Sequence, residues 1–238
     1  MGGLQMGEFL ENLVFDYADM IRPGELVLVE YTSREPVYLL FQVITEYARS
    51  RGVPVIVVDI LDGFHVMKSQ LTFAGLDTSS LNEIPVLKVG GKIDTGKVLS
   101  RVKETAEIAV FKRQLMKGLR RIHDEFGEAP FIRVVVGTSE LLQLLERDPA
   151  KMEEFFAGIT RPLVGNPYSR GVVFINRKRV SRRGLKEVEE ISTRVLETRI
   201  DCGKLTIRVV KSIYFEEYGA EIQLDPCALR ERLTSGGE

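Results

Sequence analysis

The chain has 238 residues, 44% of them hydrophobic and 28% charged, with 33 Lys and Arg against 34 Asp and Glu for a net charge of −1. That apolar content supports a substantial core, and the charge balance excludes a global field for nucleic acid or membrane, leaving only local patches for such attraction. No run approaches the ~18 apolar residues of a bilayer span, and the opening MGGLQMGEFLENL has neither the basic start nor the apolar centre of a signal peptide, so a soluble cytoplasmic protein is expected.

Phe9, Leu10, Leu13, Val14, Tyr17 and Ile21 recur at helical spacing and predict an amphipathic helix from about Gly7 to Ile21, broken by Pro23-Gly24. LVLVEY, residues 26–31, is a short apolar run of the kind that forms a buried strand. Pro36 suits the first turn of a helix, where its missing N–H would have no partner. That helix carries Val37, Leu40, Phe41 and Ile44 inward and ends near Arg51-Gly52. VPVIVVDI and IPVLKVGG give a second and a third strand, and residues 97–126 read as one or two helices. FIRVVVG is a fourth strand, followed by helical ELLQLLER and, after Asp148-Pro149, MEEFFAGI. GVVFINR is a fifth, a short helix spans about Leu185 to Ser192, and RVLETRID and LTIRVVK form a hairpin about Cys202-Gly203-Lys204. Strands alternating with helices predict an α/β fold, a mainly parallel central sheet with helices on both faces and a late antiparallel hairpin. No linker or repeat divides the chain, so one domain is expected over 1–238, with a tail from about 216.

Residues 91–97 match the G-x-x-x-x-G-K of a phosphate loop. Such a loop joins a strand to a helix N-terminus and needs glycines, a lysine and a Ser/Thr for Mg²⁺. Strand and helix are both expected here, but Val98 stands where the metal hydroxyl belongs. The favoured reading is a tight structural turn. Its alternative is nucleotide binding by Gly91, Gly96 and Lys97, with Asp59 or Asp62 for the metal.

The order of segments resembles the RecA/KaiC-like ATPase core over roughly residues 8–215. IRPGELVLVEYTSREPVYLLFQVITEYARSRG follows that family's helix, turn, strand, phosphate loop and helix. VPVIVVDILDGFHVMKSQLTFAGLD, EFGEAPFIRVVVGTSELLQLL and GKLTIRVVK look like its second strand, its Mg²⁺-binding strand and its late hairpin. The resemblance implies a RecA-like three-layer domain and assembly into homo-oligomers. The functional positions depart from it. The loop becomes residues 31–37, without glycine, with Pro36 for the lysine and Val37 for the hydroxyl. Gly137 falls where the strand-end Asp would hold Mg²⁺, and Asp59 and Asp62 fall at the catalytic acidic pair with imperfect spacing. Glu30 and Glu35 would place negative charge near the helix N-terminus, where a carboxylate is itself stabilising by about 0.3–1 kcal/mol and repels phosphate. The GELVLVEY strand, VDILDGFHV, PVLKVGG and the RVLETRI hairpin also resemble the archaeal proteins of domain of unknown function 257, found in Pyrococcus- and Thermococcus-type organisms. That resemblance implies an intracellular, degenerate RecA-like protein without an established activity.

NRKRVSRRGLK gathers Arg177, Lys178, Arg179, Arg182, Arg183 and Lys186 after the fifth strand. It reads as a solvated cluster paired with Glu187, Glu189 and Glu190, as a protein interface, or as a nucleic-acid contact whose binding would fall steeply with salt. His65 and His123 are far apart, and D-x-x-D-x-x-H from Asp59 reads as a polar loop before it reads as a metal site. Tyr168 and Arg170 lie in a turn-rich loop able to cap a ligand crevice. Cys202 and Cys227 read as isolated buried or half-exposed thiols. Together these readings assign no catalytic residue, metal or cofactor. They favour a non-catalytic regulatory or scaffold protein acting through a protein partner or a homo-oligomer.

Overall fold

A computed structural model describes residues 14–103, 107–127 and 129–235. Among the described residues nine strands form one sheet in the order β4-β3-β2-β5-β6-β1-β7-β8-β9. The five predicted apolar runs are β1 (Leu26–Tyr31), β2 (Val55–Ile60), β3 (Pro85–Val89), β5 (Phe131–Val136) and β6 (Ser169–Asn176). They pair in parallel along β3-β2-β5-β6-β1. Both faces of these strands are covered, so they read as continuous hydrophobic runs rather than as alternation.

On one face lie α1, helical over the described residues 14–19, with α2 (Val37–Ser50), α3 (Gly63–Phe73) and α9 (Pro226–Ser235). Residues 7–13 of the predicted first helix lie outside the described residues. Phe41, Phe64, Val57, Val134 and Phe174 join in that core. The other face carries α4 (Ile108–Phe126), α5 (Thr138–Leu145), α6 (Pro149–Phe155), a π-helical turn Phe156–Thr160 that runs into α7 (Arg161–Leu163), and α8 (Arg182–Ile191). Phe111, Ile122, Leu142 and Phe156 pack there on Leu28 and Ile60. Helix starts are set locally, α6 and α8 among them. Asp148 accepts from the N–H groups of Ala150 (3.1 Å) and Lys151 (3.3 Å) with Pro149 at the first position, and Ser181 accepts from Gly184 (3.1 Å).

β7 (Arg194–Asp201) runs parallel to β1 and antiparallel to β8 (Lys204–Ser212), the predicted hairpin. Cys202 and Gly203, with φ of 47° and 76°, make its two-residue turn. Cys202 at that tip and Cys227 on α9 are exposed free thiols, not buried ones. The residues read as a tail instead continue the sheet as β9 (Glu221–Leu224), antiparallel to β8, and return through α9 to bury Leu229.

One expected element is of the wrong kind. Residues 97–102 are not helix but β4 (Lys97–Val102), an edge strand parallel to β3. Seven residues, 90–96, return the chain to begin β4 level with Pro85, where a parallel crossover ordinarily takes a dozen or more. Gly91 and Gly96 make so short a return possible, with φ of 75° and 74°. A Cβ on Gly91 would lie 2.4 Å from Asp62 Oδ1, and one on Gly96 would lie 2.7 Å from Ile84 O.

Candidate functional site

In an open parallel sheet, ligands bind beyond the carboxyl ends of strands where neighbouring connections leave to opposite faces. Among the described residues there are two such places. β1 leads to α2 on one face while its neighbour β6 leads to α8 on the other, and β2 leads to α3 while β5 leads to α5.

At the first place, the turn of residues 32–36 closes on itself. The Thr32 N–H donates to Glu35 Oε2, the Val37 N–H to Glu35 O at 2.8 Å, and the Arg34 N–H to Thr32 Oγ1 at 3.3 Å. Pro36 has no N–H to offer. Asn176 Nδ2, at the end of β6, donates to Ser33 Oγ at 2.9 Å and fixes the turn from the side. Several of the N–H groups at the start of α2, those of Thr32, Arg34 and Val37, are therefore occupied by the chain itself, with Glu35 adding negative charge.

At the second place, Lys88 and Asp59 are cross-strand neighbours on β3 and β2, exposed by 1% and 0%. Lys88 Nζ donates to Asp59 Oδ2 (2.6 Å), to Asp62 Oδ1 and to Ile93 O (2.7 Å). Asp59 Oδ1 accepts the Phe64 N–H at 2.9 Å, holding the first turn of α3. Asp62, at φ 66°, accepts the N–H groups of Lys92 and Ile93 at 2.9–3.0 Å. Burial pushes its carboxyl up, but the bonds from Lys88 and from these two amides outweigh it and hold its pKa at about 2. Beside it Gly137 ends β5 with φ 80°, and a Cβ there would lie 1.9 Å from Ile60 O, so the backbone leaves no room for a carboxylate.

Of the five residues proposed for nucleotide, the structure thus brings Asp59, Asp62 and Gly91 together around Lys88. Gly96 and Lys97 lie at the far end of the seven-residue return. Lys97 opens a strand rather than a helix, and its ammonium bonds to Glu125 on α4 at 3.0 Å. The lysine of this cluster is Lys88.

The basic segment follows β6 at the same end of the sheet. Arg177 donates to the carbonyls of Glu30 (3.4 Å) and Thr198 (3.2 Å) and pairs with Glu197 at 3.2 Å. Arg179 pairs with Glu140 on α5. Lys178, Arg182, Arg183 and Lys186 are exposed. Of the acids expected to pair with the segment, Glu189 instead stands against Glu30.

Glu30 is not at the start of α2 with Glu35. It points to the opposite face, buried under α8, with Oε1 lacking a partner. Burial first, then the Glu189 carboxyl, push its pKa up to about 7. A folded state that holds this proton more tightly than the unfolded chain loses stability as pH rises from about 4.5 to about 7 and is level above that. Glu30→Gln removes the penalty. Its stability relative to wild type is expected to rise by about 2–3 kcal/mol between pH 4 and pH 8, read from urea melts at both.

His65 lies half-buried on α3 and His123 on α4, with the His123 ring 4.8 Å from that of Tyr168. Arg170 donates to Tyr47 Oη of α2 at 3.5 Å. Among the described residues no group of three His, Cys, Asp or Glu side chains is placed to hold a metal, and no helix is long and apolar enough to cross a membrane.

Sequence reasoning passed over Lys88, Arg133 and the partners of Glu30, though one signal marks all three. Each places a charge inside an otherwise apolar strand run: PVLKV, FIRVVV and LVLVEY. A charge there must find a partner, and the sequence does not say which.

The model of the family described as Pyrococcus protein of unknown function, DUF257, matches residues 16–223. Among solved structures, a protein of Pyrococcus horikoshii OT3 from a structural study is 28% identical, with a TM-score of 0.72 over 86% of this chain and 94% of that one. A KaiC-like protein of Pyrococcus horikoshii OT3 is 15% identical, with a TM-score of 0.56 over 84% of each chain. An uncharacterized Pyrococcus horikoshii protein, in complex with an unknown peptide, is 15% identical, with a TM-score of 0.58 over 90% and 97%. These last two likenesses are of fold, and the KaiC-like neighbour makes the fold RecA-like, as the order of segments implies. No curated protein matches the sequence.

Proposed function

We propose that this chain, which belongs to the DUF257 family, is a cytoplasmic RecA-like binding protein that acts through protein contacts and does not turn over nucleotide. The observation that carries the reading is the turn after β1, where Glu35 of the same chain accepts the Thr32 and Val37 N–H groups. Gly137, where no carboxylate fits, and Lys88, which engages both Asp59 and Asp62, support it. A protein partner is supported by the exposed Val210, Ile213, Phe215 and Tyr218 beside the β8–β9 edge, with the Phe215 and Tyr218 rings stacked at 6.3 Å. The peptide held by the Pyrococcus horikoshii neighbour accords with such a role.

Thermal unfolding with and without millimolar MgATP or MgGTP tests the reading, because a ligand of the folded state alone raises the midpoint. No shift is expected, in wild type or Lys97→Ala. A rise lost in Lys97→Ala would overturn the reading in favour of the 91–97 loop, and a rise in both would place nucleotide elsewhere. Sedimentation is expected to show concentration-dependent association that Phe215→Ser weakens. A wild-type monomer at every concentration would remove a second copy of the chain as the partner.

A further inference from the structure

Arg133 lies in the middle of the sheet, on β5 between Ile56 of β2 and Gly171 of β6, and only 5% of it is exposed. Its side chain is on the α4–α8 face, where its sheet neighbours are apolar apart from the buried Ser169. Among the described residues its guanidinium has no carboxylate partner, and burial alone accounts for the lowering of its pKa to about 10, far above neutral pH. Gly171 makes room for it, since a Cβ there would stand 3.2 Å from Arg133 Nη2 and 2.7 Å from Leu26 Cδ1.

Arg133 lines a cavity of about 100 Å³ between the sheet and the helices of this face. The walls are apolar, with Leu115, Leu142, Phe156, Ile159 and Val173 among them. The polar groups on the lining are Arg133, Thr138 and Thr160. Thr160 donates to Phe156 O, whereas the buried Thr138 Oγ1 has no partner. A buried cation without a carboxylate partner among the described residues and a partnerless hydroxyl thus both line this largely apolar cavity. Part of its wall is the π-helical turn Phe156–Thr160, a departure from α-helix found mostly at functional positions. A second cavity of about 340 Å³ shares Ile60, Val89, Phe111, Leu141 and Phe155 with the first and extends to Lys151, whose side chain is 42% exposed.

We infer that this chamber is a binding site for a small monocarboxylate with a compact hydrocarbon body, its carboxylate on the Arg133 guanidinium and its body against the apolar walls. An unpaired buried charge costs several kcal/mol, which an anion at this position relieves. Guanidinium and carboxylate match as a two-pronged pair. The volume sets the size: at about 10–15 Å³ for each water-sized occupant, it takes roughly seven to ten non-hydrogen atoms, the range of a branched C5 acid or an aromatic acid. Inorganic phosphate would meet the cation but leave the apolar walls unused and carry more charge than one guanidinium balances.

The test is calorimetry and thermal unfolding of the whole chain with isovalerate and benzoate, beside isovaleramide and inorganic phosphate. At least one acid is expected to bind and raise the midpoint, with isovaleramide binding at least tenfold more weakly than isovalerate where that acid is the ligand, and phosphate giving no shift. Arg133→Met, which fills similar space without the charge, is expected to be at least as stable as wild type without ligand and to lose the response to acids. Equal binding of acid and amide, no response to either acid, or an undiminished response in Arg133→Met would each overturn the inference. A ligand-free Arg133→Met that unfolds more readily than wild type would overturn it too, by showing that the guanidinium already has a partner within the chain. The comparison of acid with amide is made on wild type and stands whatever the variant does.

Discussion

Lys88→Met is expected to destabilise the folded chain by about 3–5 kcal/mol, the range for removing one partner of a buried ion pair. The substitution keeps the length of the side chain and deletes only the ammonium, so loss of packing contributes little. What remains is Asp59, fully buried, with the Phe64 N–H as its other partner. Asp62 and Ile93 O lose a donor as well. Urea melts read the loss as a fall in midpoint at unchanged slope. Adding Asp59→Asn to Lys88→Met should restore most of it, because the amide oxygen can still accept from Phe64 while the charge is gone. Failure of the double variant to recover would mean that Lys88 acts by packing and not by charge. Acid adds a second readout. Asp62 has a folded pKa below its unfolded value, so its contribution is complete above about pH 4 and is lost as pH falls through about 2. Without Lys88 that loss should become shallower.

The strands were legible in the sequence because a parallel sheet buried on both faces leaves a simple trace, short runs of Val, Ile and Leu between breakers. Residues 26–31, 55–60, 85–89, 131–136 and 169–176 all have it. Where only one face is buried the trace weakens. KVLSRV of β4, an edge strand, has charged residues at 97 and 101 and reads equally well as the start of an amphipathic helix that in fact begins at Ile108. The true helix before it, α3, buries Phe64, Met67 and Leu71 at spacings of three and four, a pattern that was present but overshadowed by the Asp and His in the same stretch.

The candidate site was legible as a departure from pattern and not as an arrangement. The absence of glycine and lysine from residues 31–37 foretold that this turn is unlike a phosphate loop, and Glu35 proves to be what closes it. The G-x-x-x-x-G-K match misled because it records a need for positive φ, a need that a seven-residue return between parallel strands shares with a phosphate cradle. Spacing along the chain cannot separate these uses. What separates them is the element that follows Lys97 and the Asp62 carboxylate beside Gly91, both fixed by tertiary structure.

Arg194→Met is expected to cost a further 3–5 kcal/mol, at the opposite end of the strands. Arg194 is fully buried. Its Nε and Nη2 donate to the two oxygens of Glu217 at 2.9 and 3.0 Å, and Nη1 donates to Glu25. The Tyr214 and Tyr17 rings lie 5.0 and 5.6 Å from its guanidinium carbon, near enough for cation–π attraction. The substitution strands two buried carboxylates at once. Because Glu25 opens β1, Tyr17 belongs to α1 and Glu217 follows β8, this guanidinium ties three remote segments together. Hydrogen exchange in the variant should therefore quicken first at residues 14–22 and 213–218, while β2 and β5 stay protected. Arg194→Lys keeps the charge but cannot fork to both oxygens of Glu217, so it should fall between wild type and Arg194→Met. The hydrogen bond from Arg194 holds the Glu217 carboxyl below its ordinary value. The sign follows: this stabilisation is complete above about pH 4.5 and is lost as pH falls through the lowered folded value. The gap between wild type and Arg194→Met should thus be widest near neutral pH and narrow below pH 4. A gap that stays constant into acid would place the effect of Arg194 in its contacts with Tyr17 and Tyr214 rather than in its charge.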